Sequence, residues 1–145
     1  MADDIQLAAL EAIGADATVQ AITTRGYSEG HLPQNATLPA YAVDVVSNNG
    51  IEHLGGTSVS VARVRVDAYA VDPTAANALA ETIRTKVMQS THKGAFGTSD
   101  PIVVREISLA AGPFRARDRP VDGSDQFRPF VRTDYFVYYV QTLPS

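Results

Sequence analysis

The stretch Ala62-Arg63-Val64-Arg65-Val66-Asp67-Ala68-Tyr69-Ala70 decides the fold of this chain. Small apolar side chains alternate in it with charged or aromatic ones, which is the period of a β-strand with one buried face. The side chains directed away from the predicted core are Arg63, Arg65, Asp67 and Tyr69. This strand is predicted to lie in a sheet whose apolar side needs a cover.

A helix is predicted directly after the strand. Asp72 can cap the free amides of its first turn, and Pro73 suits the first helical position because it has no amide hydrogen. The apolar stripe of this helix consists of Ala76, Leu79, Ala80, Ile83 and Val87. Such spacing predicts that one side of the helix covers the apolar face of the sheet.

Further elements are predicted on both sides of this unit. Helical spacing that ends at Gly14 indicates a short amphipathic helix, and residues 16–22 indicate another helical turn or two. Strands are predicted at Tyr41–Ser47, Ile102–Ala110 and Val131–Gln141. The predicted fold class is therefore α+β, with a mainly antiparallel sheet of about four strands, two helices packed on one face, and long loops.

Turn-forming residues predict the connections. Asn48-Asn49-Gly50 is expected to turn the chain after the first long strand, and the glycine pair within Ile51–Ser58 is typical of a mobile hairpin tip. Residues 91–101 are expected to form a loop. The polar segment Gly112–Pro129 predicts a long excursion, of a length usually either functional or disordered.

Size and composition favour one domain spanning residues 1–145. The absence of cysteine excludes disulfides and thiolate metal ligands, and with the lack of a signal peptide it favours synthesis in the cytosol. No apolar run is long enough for a bilayer span, so no membrane partner is expected. A net charge of -4 argues against general nucleic-acid binding, which needs a basic surface.

Catalytic and metal-binding patterns are not found in the sequence. His31, His53 and His92 are far apart in predicted loops, and none has a partner at metal-ligand spacing. The stretch Gly55-Gly56-Thr57-Ser58 lacks the lysine and the strand-to-helix context of a phosphate-binding loop. We therefore predict no catalytic residue, no cofactor and no metal.

Two other features are candidates for binding. Arg63, Arg65 and Asp67 could form a ligand-binding patch, a charged contact between subunits, or a solvated face with weak ion pairs. The last predicted strand is apolar on both sides, with Val131, Tyr135, Val137 and Tyr139 on one and Phe136, Tyr138 and Val140 on the other. A strand of this kind is either covered twice or contacts another subunit, and with two helices the second is favoured.

Three segments, taken in order, resemble the tail-completion or tail-terminator proteins of long-tailed bacteriophages. They are Leu32-Pro33-Gln34 followed by Leu38-Pro39-Ala40-Tyr41, the strand Ala62–Ala70 with its Ala-rich helix, and Arg132-Thr133-Asp134-Tyr135-Phe136-Val137-Tyr138-Tyr139. The likeness covers most of the chain. It departs from the family at Gly112–Pro129, which is longer than expected there.

The resemblance implies a structural protein rather than an enzyme. Members of that family form rings, typically hexameric, that cap the head-proximal end of the tail tube, stop its polymerisation and join the tail to the head. The implied partners are further copies of this chain, the tail tube protein and a head-tail connector or stopper, with DNA passing through the lumen without specific binding. The implied location is the tail or neck of the virion, after assembly in the host cytoplasm.

Under that resemblance the residues divide into two hypothetical sets. The expected tube or connector contacts are Ile51, Glu52, His53, Leu54, Arg115, Arg117, Arg119 and Arg128. The expected subunit interface consists of Arg63, Arg65, Asp67, Tyr69, Phe136 and Tyr138. Two alternatives stay open: a head-side neck adaptor or stopper, and a small α+β enzyme or ligand-binding domain with its site around Arg63, Arg65 and Asp67.

Overall fold

A computed structural model describes residues 2–28, 36–52, 58–89, 94–96, 102–118 and 128–140. The helices are α1 (Ala2–Ala15), α2 (Ala17–Ile22) and α3 (Pro73–Lys86). The strands are β1 (Gly26–Tyr27), β2 (Ala40–Glu52), β3 (Ser58–Tyr69), β4 (Gly94–Phe96), β5 (Ile102–Asp118) and β6 (Arg128–Val140). They form one sheet in the order β1-β2-β3-β6-β5-β4.

The predicted class is right, but the number of elements is not. Every strand pair is antiparallel except β1 with β2, so the sheet is mixed and mainly antiparallel. It has six strands rather than about four, because β1 and β4 add two and three residues beside the long strands. Strands this short show no alternation in a sequence, and β4 lies in the predicted loop 91–101.

The described residues also form three helices, whereas two were predicted. The six-residue α2 begins after Asp16, whose carboxylate accepts hydrogen bonds from the amides of Thr18 and Val19 at 2.9 and 3.0 Å. Val19 is fully buried in the core. The N-cap and this one anchored side chain make α2 an element of the helical layer rather than a loose turn.

The first long hairpin extends beyond its predicted strands. The β2–β3 register runs from Ala40 opposite Tyr69 to Glu52 opposite Ser58, with a bulge at Val46. Asn48-Asn49-Gly50 therefore lies within β2 and does not turn the chain, because pairing with β3 overrides the local turn preference. The rest of the predicted tip, residues 53–57, lies outside the described residues.

The second long hairpin uses part of the predicted polar excursion. Residues 112–118 continue β5, and Arg128 and Pro129 begin β6, whereas residues 119–127 lie outside the described residues. The β5–β6 register shifts at three places, the last of them around Gly112. Gly112 has a φ of 96°, and a Cβ there would lie 2.7 Å from the carbonyl oxygen of Arg132, so only glycine lets the bulged strand pass this close.

All three helices pack on one side of the sheet, which we call the inner face. It is the side onto which Ala62, Val64 and Val66 of β3 point, as the alternation predicted. The predicted stripe of α3 and the predicted apolar side of β6 are both buried in this core. The opposite side, which carries the residues predicted to point away, is called the outer face.

A second, smaller apolar cluster covers one end of the outer face. Its buried members are Ala40, Ala42, Tyr69 and Phe130, and Tyr27, Ala36 and Leu38 lie partly buried around them. The segment before β2 is held there in part by Thr23, whose hydroxyl donates a 2.7 Å hydrogen bond to the carbonyl of Pro39. The rest of the outer face has no such cover among the described residues.

The packing of α3 predicts the effect of truncating its central side chain. Leu79→Ala should lower the free energy of unfolding by about 2–5 kcal/mol, because Leu79 is fully buried and its removal leaves a cavity. Leu7→Ala in α1 is the matched control, since Leu7 is 46% exposed and should cost less than about 1 kcal/mol. Urea unfolding followed by circular dichroism measures both. Equal effects of the two substitutions would contradict this placement of α3.

Candidate interface on the outer face of the sheet

The centre of the outer face is an ion-pair network between β3 and β6. Asp134 accepts hydrogen bonds from the Nε of Arg63 at 2.9 Å and from the Nε of Arg65 at 3.0 Å. A third bond joins the Nη2 of Arg65 to the other carboxylate oxygen of Asp134 at 3.2 Å. One carboxylate thus holds two guanidinium groups from the neighbouring strand.

A second pair lies beside the first one. Arg132 donates to both carboxylate oxygens of Asp67, from Nε at 2.9 Å and from Nη2 at 3.0 Å. Arg132 and Asp67 face each other directly across the β3–β6 ladder, as do Arg65 and Asp134. Directly opposed charges of opposite sign stabilise an antiparallel pair, and the forked geometry adds directional specificity.

The network is layered in depth. The carboxylates of Asp67 and Asp134 are almost fully buried, whereas the side chains of Arg63, Arg65 and Arg132 remain 35%, 29% and 34% exposed. The guanidinium groups therefore cover the carboxylates and form the solvent-exposed surface of the network. The guanidinium N–H groups that do not bind these carboxylates can donate hydrogen bonds to a partner on this face.

The ionisation of the network follows from these contacts. Burial on its own would raise the pKa of Asp134, but hydrogen bonds from Arg65 and Arg63 and their charges outweigh it and lower that pKa. The hydrogen bond to Asp134 raises the pKa of Arg65, and the one to Asp67 raises the pKa of Arg132. Asp134, Arg65 and Arg132 are therefore charged at neutral pH.

Aromatic rings flank the network at its covered end. Tyr69 and Phe130 stack with their centroids 4.9 Å apart. The guanidinium of Arg132 lies 5.4 Å from the centre of the Phe130 ring, and that of Arg128 lies 5.4 Å from the centre of the Tyr69 ring. These cation–π contacts hold two arginines flat against the sheet.

The other end of the outer face carries apolar side chains without such a cover. Phe136 lies opposite Arg63, and Tyr138 lies opposite Val61. The side chains of Phe136, Tyr138 and Val61 are only half-buried. On the neighbouring strand β5, Phe114 lies opposite Arg132 and is 55% exposed. Within the described residues, the outer face thus combines exposed apolar side chains with a rigid polar centre.

Its charge balance is suited to a protein partner. The three arginines of the network are offset by its two carboxylates and by the half-buried Asp44, which lies on β2 opposite Arg65. A phosphate backbone is bound by unpaired cations that release its counterions. Oriented N–H groups among aromatic rings are instead typical of protein–protein interfaces.

The six residues predicted for a subunit interface all lie on this outer face. The structure adds the pairing within this set, since Arg63 and Arg65 bind Asp134 and Asp67 binds Arg132. Arg132 and Asp134 were missing from the predicted set. The signal was available, because Phe130, Arg132, Asp134, Phe136 and Tyr138 follow the period of two.

The residues predicted for tube or connector contact are spread over the two ends of the sheet. Ile51 and Glu52 belong to the end of β2, while His53, Leu54 and Arg119 lie outside the described residues. Arg115 and Arg117 are exposed near the end of β5, and Arg128 begins β6 at the same end. The length of β3 separates the two ends by roughly 36 Å at 3.3 Å per residue.

Two other kinds of feature are not found among the described residues. They contain no cluster of three or more His, Cys, Asp or Glu side chains placed to hold a metal ion. None of the helices in these parts of the chain combines the length and the apolarity needed to cross a membrane.

Comparison with known proteins shows a likeness of fold. No family model and no curated protein matches the sequence. Among solved structures, the fold is similar to a chain from a structure described as "Virion of native gene transfer agent (GTA) particle", with a TM-score of 0.57 over 94% of each chain. The sequence identity is 13%, so this likeness shows a shared fold alone.

The clamp, by which we mean Asp134 with the bound guanidinium groups of Arg63 and Arg65, predicts a pH-dependent loss of stability. Asp134→Asn should lower the free energy of unfolding by about 1–3 kcal/mol at pH 7, because it removes the charge that holds two guanidinium groups. The pKa of Asp134 is lowered in the folded chain, so its contribution is present above the unfolded value of about 3.9 and is lost as pH falls. The gap between variant and wild type should therefore narrow below pH 4.

Urea unfolding at pH 7 and at pH 3 measures this gap. Glu81→Gln is the control, because the Glu81–Arg84 pair on α3 is exposed and should contribute less than about 0.5 kcal/mol. A gap for Asp134→Asn that stays constant between the two pH values would contradict the clamp.

Proposed function

We propose that this chain is a structural protein of a virion, and that its copies form a ring at the head-proximal end of a phage tail tube. The ring stops polymerisation of the tube and joins the tail to the head connector. The observation that carries this proposal is the fold shared over 94% of both chains with a chain of a gene transfer agent virion. The order of segments that resembles tail-terminator proteins supports the finer assignment.

The outer face supplies a physical reason for assembly. Phe136, Tyr138 and Phe114 leave apolar area in water, and burying it favours association by about 25 cal/mol per Å². A subunit contact of ordinary size, about 800 Å² per partner, would extend over the ion-pair network as well. The guanidinium groups of Arg63 and Arg65 would then fix the orientation of the neighbouring subunit.

A ring also agrees with a contact between two different surfaces of neighbouring subunits. When the outer face of one copy contacts a different surface of the next, the contact is heterologous, and a closed ring leaves no unpaired surface. The two ends of the sheet then provide separate surfaces for separate partners. We assign one end to the tube and the other to the connector or stopper.

The charge pattern supports a lumen through which DNA slides. The chain has a net charge of -4. A lumen lined by such an acidic chain would repel phosphates overall, so DNA is expected to pass without specific binding. No cofactor, metal or membrane is part of this proposal, and we propose no enzymatic activity.

The two alternatives fare differently. A head-side neck adaptor or stopper would use the same ring and would differ only in its first partner. A ligand site around Arg63, Arg65 and Asp67 is less well supported, because Asp134 and Asp67 already occupy the guanidinium forks. A ligand would have to displace these bonds or use the few remaining N–H groups.

Assembly through the outer face predicts the effect of a charge placed there. Phe136→Glu should shift wild-type oligomers to monomers, with at least a tenfold rise in the dissociation constant, because burying a carboxylate among aromatic side chains is costly. Sedimentation velocity across a concentration series, followed by negative-stain imaging, measures this shift. Circular dichroism should show the wild-type fold in the variant.

Leu109→Glu is the matched control for this experiment. Leu109 is 51% exposed and lies on the inner face of β5, where it faces Tyr135 across the ladder. Its substitution should leave the oligomers intact. Monomers at every concentration in the wild type, both alone and with purified tail tubes, would contradict the proposed ring.

A further inference from the structure

A cleft on the helix side of the sheet lies apart from the outer face. It opens between the first turn of α3, the last residues of β5 and the first residues of β6, and its volume is about 220 Å³. Its walls are formed by Pro73, Ala76, Pro129, Phe130 and Val131. Pockets for drug-sized ligands measure about 300–1,000 Å³, so this cleft has room for a single apolar side chain.

Two arginines form the rim of this cleft. Arg115 and Arg117 are two residues apart on β5, so their side chains leave the strand on the same side. Both are exposed, and neither has an ion-pair partner among the described residues. Arg63, Arg65, Arg84 and Arg132, by contrast, are all bound to carboxylates.

The combination defines a ligand chemistry. An apolar pocket beside two unpaired guanidinium groups is complementary to a chain segment that offers one apolar side chain and a nearby carboxylate. Along an extended strand the two arginines lie about 7 Å apart, a spacing that an extended acidic segment repeats every second residue. Phosphate-rich ligands suit the guanidinium groups but leave the apolar walls unused.

We propose that this cleft binds an acidic and apolar peptide segment of a second virion protein. The inference rests on the proposed function, which assigns this end of the sheet to a partner protein rather than to the neighbouring subunit. It names the chemistry by which one end of the sheet recognises its partner. Arg115 and Arg117 select the carboxylate, and the walls around Ala76 and Val131 receive the apolar side chain.

The test uses the full chain labelled with ¹³C at its alanine methyl groups, because Ala76 and Ala116 both line the cleft. The probes are acetyl-Leu-Glu-amide, acetyl-Leu-Gln-amide and acetyl-Ala-Glu-amide, titrated to millimolar concentration. The Leu-Glu probe should shift the methyl signal of Ala76 most, because the Ala116 methyl leaves β5 on the side opposite to Arg115 and Arg117. The other two should bind at least about threefold more weakly, since each lacks one of the two recognised groups.

The double variant Arg115→Gln/Arg117→Gln tests the rim directly. It should weaken binding of the Leu-Glu probe by about five- to tenfold, the size expected for two exposed charge contacts. Arg25→Gln/Arg105→Gln is the matched control, because it removes two exposed arginines that do not line the cleft. It should bind the probe as the wild type does.

Several results would overturn the proposal. Equal binding of the Leu-Gln and Leu-Glu probes would show that the carboxylate is not recognised. Signal shifts confined to alanines outside the cleft would show that the probe binds elsewhere. Binding that disappears when the chain oligomerises would assign the cleft to a second copy of this chain. Sedimentation of the same samples reports the oligomer separately, so a failed ring and a failed cleft are distinguishable.

Discussion

The structure depends on the register between its two central strands, and the buried carboxylates on the outer face hold that register. Asp67 faces Arg132 and Asp134 faces Arg65 across the ladder. A slip by two residues in one direction would place Asp67 opposite Asp134, and in the other direction Arg65 opposite Arg132. Each slip sets like charges against each other at the least hydrated part of the face, so the alternating charges admit one pairing.

This register gives the two faces of the sheet different roles. On the inner face it aligns the small and branched side chains of β3 with those of β6, and the helices close over them to form the core. On the outer face it places the guanidinium groups above their carboxylates and leaves aromatic side chains beside them. A face so ordered but only partly covered would give the proposed neighbouring subunit a preorganised surface, with little entropy left to lose on association.

Much of this arrangement could be predicted from alternation and helical spacing, and the exceptions have physical causes. Local rules predicted three features that the structure confirms: the strand around Val64, the Asp72 cap and the buried stripe of α3. The course of β2 through Asn48-Asn49-Gly50 and of β5 through Gly112 depends on partners distant in sequence, which local turn preferences do not report. The period of two in β6 places Asp134 on the outer face, but its pairing with Arg63 and Arg65 depends on the β3–β6 register, which the alternation does not give.

The central claim is that a second copy of this chain covers the outer face. Hydroxyl-radical footprinting of the dilute chain and of its largest assembled form tests this claim most directly, because it reports side-chain exposure residue by residue. The account predicts that oxidation of Phe136 and Tyr138 falls several-fold on assembly, while oxidation of the exposed Leu7 on α1 changes little. Assembly that leaves Phe136 and Tyr138 as reactive as in the dilute chain would contradict it.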